Sequence, residues 1–284
     1  MPNSKFKRHI EKKINKTIKK YGLFTRKNKV VVAVSGGKDS TVCLYILNKL
    51  GYDVEGLTID VNIGDYTREN LKNLQEFCDE NKIKLNVVSF RKEFGMSLCY
   101  IQSILKSKKY DYSSCKTCGI LKRYLLNKYA RELNFDCITT GHNLDDEAQS
   151  FMMNVFRNDL KLALRQGPRT GIIDSNKFIK RVKPLYFISE DEIERYSKLM
   201  GFKVNYNICP CSVGAYRRKY KKILNEFEKD HPHVKYNIIN FQEQLKKMTE
   251  INKKQDINCC KVCDEPSSKD ICKACQIISE LKQV

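Results

Sequence analysis

The sequence predicts an α/β fold, a parallel sheet with helices on both faces, and three observations carry that reading. Short β-branched runs at 30–34, 54–59, 84–90 and 136–140 alternate with helical periodicity at 39–50, 66–81, 93–106, 118–133 and 143–157. Strands separated by a helix-length segment pair in parallel, and the crossover helices cover both faces of the sheet. The glycine pair Gly36-Gly37 stands between the first strand and the helix that follows it, where the chain must turn sharply. A length of 284 residues suits one such domain plus something small.

In chain order, a basic stretch comes first. Residues 1–29 hold eleven Lys and Arg against one acid, Glu11, while Ile10, Ile14, Ile18 and Tyr21 recur at helical spacing. An amphipathic basic helix is therefore predicted over 1–28. Its apolar side is thin for a membrane-surface helix. No apolar run resembles a signal peptide or reaches membrane-spanning length. Over the whole chain, 53 Lys and Arg face 33 Asp and Glu, a net charge of +20, which calls for a polyanionic partner. The catalytic α/β domain is assigned to 29–250. Within it, 158–189 reads as a long loop or short hairpin around Gly167-Pro168-Arg169, and helices resume at 190–200, 213–229 and 235–249. A Lys/Asn/Asp linker from 252 leads into a cysteine tail, so 251–284 is a separate small module.

The run Val30-Val31-Val32-Ala33-Val34 feeds Ser35-Gly36-Gly37-Lys38-Asp39-Ser40 and then an apolar helix face. Glycines let the backbone approach a ligand closely, and the first N–H groups of the helix form an anion site. The spacing is not that of a Walker A loop. In a parallel sheet, ligands gather outside the carboxyl ends of the strands. Ser35–Ser40, Asp60 and Gly141–Asp146 all fall at such ends. Asp39 and Asp146 offer oxygen ligands for Mg²⁺, and Lys38 and Lys122 offer charge to phosphate. Asp145-Asp146-Glu147 also has the composition of a helix first turn.

Thirteen cysteines without an export signal point to metal or redox chemistry rather than a disulfide framework. Cys43, Cys78, Cys99 and Cys137 are isolated and read as buried small hydrophobes. Cys260-x-x-Cys263 and Cys272-x-x-Cys275 have the spacing of a four-thiolate zinc site, with Cys259 as a neighbour that could replace Cys260. Cys115-x-x-Cys118 precedes a helix and lies near Lys116, Lys122 and Arg123, a setting expected to lower thiol pKa. Spacing leaves three readings of that pair open: a redox dithiol, a second zinc site, or an iron–sulfur cluster completed by Cys209 or Cys211.

The Ser-Gly-Gly-Lys-Asp-Ser string resembles the pyrophosphate loop of the N-type ATP pyrophosphatases. With Cys115-x-x-Cys118-Gly119, Lys122-Arg123, Gly141-His142-Asn143-Leu144-Asp145-Asp146, Cys209-Pro210 and the cysteine tail around Pro266-Ser267-Ser268, the chain resembles the tRNA 2-thiouridine synthetases over roughly 25–280. The resemblance implies an adenine nucleotide α-hydrolase-like fold of the pyrophosphate-loop type. It implies that ATP adenylates the C2 carbonyl oxygen of a tRNA uridine, wobble position 34, and that sulfur then displaces AMP. Uridine 54 or cytidine 32, or nitrogen insertion by a related pyrophosphatase, are the alternatives; a non-catalytic RNA-binding zinc protein is the remaining one. ATP contacts are implied at Ala33, Ser35, Gly36, Gly37, Lys38, Asp39, Ser40, Ile59, Lys122, Gly141 and Asp146. Cys115, Cys118 and Cys209 are implied to hold a [4Fe–4S] cluster with one open iron, and these three act with Lys122 and Asp146 in catalysis. Zn²⁺ is assigned to Cys260, Cys263, Cys272 and Cys275. His142 is expected to shape the nucleotide loop. Expected partners are tRNA, a sulfur donor (free sulfide or a ubiquitin-like sulfur-carrier protein) and a second copy of the chain, in the cytoplasm and away from membranes. Two departures stand out. Most members of this family begin with a further Cys/His finger, for which residues before Cys43 offer no cysteine. Cys211, two residues after Cys209, would close the open iron if it were a fourth ligand.

Overall fold

Helix α1 (Asn3–Lys20) leads into strand β1 (Lys29–Ala33), and β1 into α2 (Lys38–Lys49), in a computed structural model that describes residues 1–170, 179–207, 209–212, 216–249 and 258–282. There follow β2 (Asp53–Asp60), α3 (Gly64–Glu80), β3 (Leu85–Ser89), α4 (Phe90–Phe94), α5 (Leu98–Ser107), α6 (Ser114–Glu132), β4 (Cys137–Thr140) and α7 (Leu144–Phe156). The remainder comprises α8 (Leu160–Arg165), β5 (Arg169–Thr170), β6 (Lys180–Val182), α9 (Glu190–Met200), a 3-10 turn (Pro210–Ser212), α10 (Arg217–Asp230), α11 (Val234–Met248) and α12 (Lys273–Leu281).

The strands lie in the order β3-β2-β1-β4-β6-β5. Every pairing is parallel except β5 with β6. Val30 faces Val54 on one side and Cys137 on the other, so β1 is central. After β1 the chain crosses to β2, whereas β4 lies on the opposite side of β1. This reversal splays the loops apart and opens a crevice at the carboxyl ends of β1 and β4.

Apolar clusters fill both faces of the sheet. One joins Val30, Val32, Leu44 and Leu47 to Phe6, Ile10, Ile14 and Ile18 of α1. The apolar stripe of the basic helix is thus packed into the core, and Lys12, Lys16, Lys19 and Lys20 stay exposed. The other cluster joins Val31, Leu57 and Ile138 to α5, α6 and to Ala274, Ile277 and Leu281 of α12. The C-terminal module is therefore docked against α5 and α6, the helices over the sheet's second face.

Three stretches differ from the sequence expectation. The helix predicted at 93–106 is two helices, because Gly95 ends α4 at a φ of +72° and the Ser97 hydroxyl caps α5. The helix predicted from 118 begins at Ser114, capped by Ser113, whose hydroxyl accepts from the Lys116 N–H at 3.3 Å. Within 158–189 the hairpin is present, but β6 pairs in parallel with β4 and so extends the main sheet. Residues 171–178 of that loop, and the linker including the 250/251 boundary, lie outside the described residues.

Candidate active site

The anion loop is shaped by close approaches that exclude side chains. Gly36 has a φ of +78°, and a Cβ there would stand 2.9 Å from the Asn70 Cβ. A Cβ on Gly141 would stand 2.7 Å from the Ser40 backbone nitrogen, so only glycine lets β4's end lie against the start of α2. The Ser40 hydroxyl donates to the Gly37 carbonyl at 3.1 Å and accepts from the Ser35 N–H at 3.2 Å, which closes the turn. No side chain caps α2, leaving its N-terminal N–H groups to an anion.

Charged groups ring this loop. Lys38 Nζ lies 3.3 Å from Asp39 and 2.9 Å from Glu190. Against the effect of its burial, these two acids push the Lys38 ammonium up to about 12. Asn143 Nδ2 donates to Asp39 at 3.0 Å. Burial raises the Asp39 carboxyl, Lys38 opposes that, and Asp146 adds to it. A carboxylate whose charge is disfavoured by burial and by a second carboxylate, beside a phosphate-sized cradle, belongs to a donor set that a divalent cation relieves.

The acidic triplet divides its work. Asn143 caps α7 in a reciprocal box with Asp146, at 3.0 and 3.2 Å. Asp145 is buried against Lys235 and accepts from the Glu190 N–H at 2.7 Å. Glu147 is buried against Lys183 at 2.8 Å. Only Asp146 turns toward the loop, where Arg217 holds it at 2.7 Å. His142 accompanies it, its Nδ1 2.8 Å from the Thr140 hydroxyl.

A cavity of about 270 Å³ adjoins the loop, lined by Ser35, Gly37, Ile59, Asp60, Tyr66, Asn70, Lys122, Cys118 and Cys209 among others. Phosphate cradle and thiols therefore share one space. Cys115 and Cys118 occupy the first turn of α6, and Lys122 follows Cys118 one turn on. Cys209 arrives from the segment after α9 and is close enough to both thiols to disfavour their ionisation. The expected lowering of these thiol pKa values is overturned. Burial pushes both up, opposed at Cys118 by Lys122 and at Cys115 by Arg218. Two thiols lining the cavity, with Cys115 on the turn before Cys118, suit a cluster; among the described residues the three do not draw together as a single-ion site does.

In the tail they do. The sulfurs of Cys260, Cys263, Cys272 and Cys275 all lie within 4.8 Å of one another. Cys259 stands outside this set, bridged to Pro266 in a short antiparallel contact. Burial opposes it, yet the N–H groups of Cys272, Cys263 and Val262 bring the Cys260 thiol down to about 6. Glu265, between the knuckles, pairs with Asn127 and Arg131 of α6 and so fixes the module to the helix that begins with Cys115 and Cys118.

Several site residues were not foreseen. Glu190 is the first residue of α9, and Arg217 begins α10; both are brought in by tertiary packing alone. Asn143 carried a signal, an N-cap residue before an acidic turn. Cys99, expected to be buried, is exposed, whereas Cys43, Cys78 and Cys137 are buried as expected.

A glycine anion loop between a central parallel strand and its helix, with acids on the neighbouring strand end, defines a PP-loop nucleotide-binding domain. The pattern of the PP-loop domain family matches residues 6–206. The tRNA-5-methyluridine(54) 2-sulfurtransferase of Pyrococcus horikoshii is 36% identical over 280 residues, 98% of this chain and 87% of that protein. The tRNA 2-thiolation protein NcsA of Haloferax volcanii is 30% identical over 295 residues, 97% of this chain and 91% of that protein. The U34-tRNA thiolase NcsA from Methanococcus maripaludis, solved with its [4Fe-4S] cluster, superposes with a TM-score of 0.80 at 30% identity, over 97% of this chain and 88% of that chain. The chain belongs to the PP-loop family of tRNA sulfurtransferases.

Proposed function

We propose that the chain is an ATP-dependent tRNA thiolase that adenylates the C2 carbonyl oxygen of a uridine and replaces that oxygen with sulfur. The observation that carries this reading is the single cavity in which Ser35 and Gly37 of the anion loop face Lys122, Cys118 and Cys209. Adenylation and sulfur delivery must meet at one carbon, so their groups belong in one space. ATP lies along Ala33, Ser35, Ile59 and Gly141, with its pyrophosphate on the N–H groups of Gly36–Ser40. The uracil oxygen attacks the α-phosphorus and pyrophosphate leaves. Lys38 and the N–H groups neutralise the leaving pyrophosphate, and Lys122 meets the charge on the α-phosphate. Glu190 must yield Lys38 to the phosphates. Asp39 and Asp146 would hold Mg²⁺, which would offset the negative charge of the phosphates. Sulfur then attacks C2, and AMP departs with the oxygen.

Cys115, Cys118 and Cys209 would hold a [4Fe–4S] cluster, which supplies an iron to which incoming sulfide can bind. Cys260, Cys263, Cys272 and Cys275 would hold Zn²⁺ as a structural ion, since tetrahedral thiolate sites with all positions filled by protein do no chemistry. The segment 1–28, which carries α1, and the module at 251–284 flank the catalytic unit at 29–250 and present cations and a shaped surface to tRNA. No helix among the described residues is long and apolar enough to cross a membrane. A Drosophila melanogaster relative, 34% identical, bears the name cytoplasmic tRNA 2-thiolation protein 1, and the cytoplasm is the proposed location.

Wobble position 34 is the favoured target, supported by the superposition on the U34 thiolase. Position 54 is the second reading, supported by the names of the relatives from Pyrococcus horikoshii, Thermus thermophilus and Thermotoga maritima. Protein purified without oxygen should be brown and should form 2-thiouridine in tRNA only with ATP, Mg²⁺ and a sulfide source. Fragment mass spectrometry then maps the position. Colourless protein that modifies tRNA with nitrogen, or needs no ATP, would refute the reading.

A further inference from the structure

Helix α10 opens on Arg217-Arg218-Lys219-Tyr220-Lys221-Lys222, five cations in six residues. Cations in a first turn repel one another and meet the positive end of the helix dipole, an arrangement that calls for anions. Arg217 and Lys221, four residues apart on one face, turn into the site. The Arg217 guanidinium donates to Asp146 Oδ1 and to the Asp146 carbonyl, both at 2.7 Å, and its Nε donates to Gln149 at 2.9 Å. Lys221 Nζ lies 2.6 Å from Glu190, whose other oxygen takes Lys38 at 2.9 Å. One helix thus neutralises both the carboxylate proposed for Mg²⁺ and the acid that holds the loop lysine. Arg218, Lys219 and Lys222 are exposed. Both inward pairs compete with a bound nucleotide. The second oxygen of Asp146 already accepts from the Asn143 N–H at 3.2 Å, so a cation at Asp146 must take the oxygen that Arg217 holds. When phosphate draws Lys38 away, Lys221 remains on Glu190, and no half-buried carboxylate is left unpaired. Arg217 is left with Gln149 and the Asp146 carbonyl, neither of which carries charge.

We propose that Arg217 exchanges Asp146 for a backbone phosphate of tRNA when Mg²⁺ and ATP bind, while Lys221 holds Glu190. This rests on the thiolation reading, which supplies both ligands. A guanidinium fits a phosphate as it fits a carboxylate, with paired N–H donors and a full charge. The exposed Arg218, Lys219 and Lys222 keep a polyanion at the same turn. The exchange makes the two ligands reinforce each other, because whichever arrives first loosens the pair between Arg217 and Asp146. Arg217 is then a positioning residue: it brings the RNA backbone to the site only when the nucleotide is in place.

The test measures binding of an unmodified tRNA transcript to the full chain, with and without Mg²⁺ and α,β-methylene ATP, whose reacting bond cannot be cleaved. The nucleotide should lower the tRNA Kd by about tenfold, as one added charged hydrogen bond does. It should also steepen the slope of log K against log salt by about 0.7–0.9, one further phosphate. Arg217→Ala should lose both effects. So should Arg217→Gln, which keeps neutral hydrogen bonding if the alanine variant folds poorly. Both variants should bind Mg²⁺ and the analogue at least as tightly as wild type, since a competitor for Asp146 is gone. Lys221→Ala should weaken analogue binding, because Glu190 then keeps Lys38, and adding Glu190→Gln should restore it. A tRNA Kd that ignores the nucleotide, or a gain that survives in the Arg217 variants, would overturn the proposal. Weaker analogue binding by both Arg217 variants would place Arg217 on the ATP phosphates and overturn it too. Analogue binding unchanged in Lys221→Ala would remove Lys221 from the exchange and overturn the proposal as stated. Wild-type protein that thiolates tRNA without the gain refutes the exchange alone. A gain in protein that never forms 2-thiouridine would instead refute the thiolation reading and leave the exchange standing.

Discussion

The sulfurs of Cys260, Cys263, Cys272 and Cys275 crowd within 4.8 Å of one another, whereas Cys118 and Cys209, with Cys115 nearby on α6, line a cavity shared with the anion loop. The first set is built locally. Two knuckles in one short segment supply it, backbone N–H groups of the same segment aim at Cys260, and the Cys272 thiol caps α12. The second set is built by topology. Two thiols come from the start of α6 and the third from beyond α9, so it forms only after the sheet has brought those elements together. A closed local site stabilises a segment too small to bury a core of its own. An open site assembled by the whole domain leaves room for a reactant.

That contrast can be broken most sharply at the rim of the cavity. Lys122→Ala and Asp146→Ala should each lower thiolation by about 100-fold or more, as loss of a charge-stabilising group does. Both should keep the brown colour, because neither group is a sulfur ligand. Absorbance and nucleoside mass spectrometry on the same preparations check this; bleached protein would tie these residues to the cluster rather than to ATP.

At the tail the expected effect falls on stability. Cys263→Ser should release the module, whose α12 buries Ala274, Ile277 and Leu281 against α5 and α6. Calorimetry should show a lower melting temperature, by about 2–4 °C for each kcal/mol lost in a domain of comparable size. Limited proteolysis should cut near the linker sooner. An unchanged melting curve would mean that docking through Glu265 suffices without metal.

A smaller effect is expected at Asn143, whose side chain both caps α7 and holds Asp39. Asn143→Ala should cost about 1 kcal/mol of stability from the lost cap, read by denaturant titration. It should also raise the KM for ATP, since Asp39 loses its anchor. A stability loss without any change in KM would separate the cap from the site.

The weakest expected effect concerns tRNA. Because α1 is packed into the core through Ile10, Ile14 and Ile18, deleting it would unfold the protein rather than test its charge. Replacing the exposed Lys12, Lys16, Lys19 and Lys20 by Gln keeps the packing. Each lysine that contacts a phosphate should reduce the salt dependence of log K by about 0.9 for duplex RNA treated like B-form DNA. Filter binding across a salt series measures it, and an unchanged slope would assign these lysines to solubility.

Legibility in the sequence followed the same division between local and assembled features. The anion loop and the tail were readable because turn glycines and x-x spacing act within a few residues. The basic helix was readable from its periodicity, but its burial was not, since an amphipathic stripe does not say what covers it. The start of α6 was missed by four residues because Ser113, not the cysteine pair, is the cap. The thiol pKa direction was misjudged because nearby lysines are visible in a sequence and burial is not. Cys209 was reached through family resemblance, and Cys99 was misfiled as buried because its local sequence does not show which side of α5 meets solvent. Glu190 and Arg217 gave no signal, being ordinary charged residues until packing aims them at Lys38 and Asp146.

The most direct test of two separate metal sites is iron and zinc counted per chain in oxygen-free Cys118→Ala and Cys263→Ser proteins, side by side. Cys118→Ala is expected to lose its iron and colour and keep its zinc, and Cys263→Ser to lose its zinc and keep iron and colour. A single variant that loses both metals, or a Cys118→Ala protein that stays brown, would contradict the division of the cysteines on which the whole account rests.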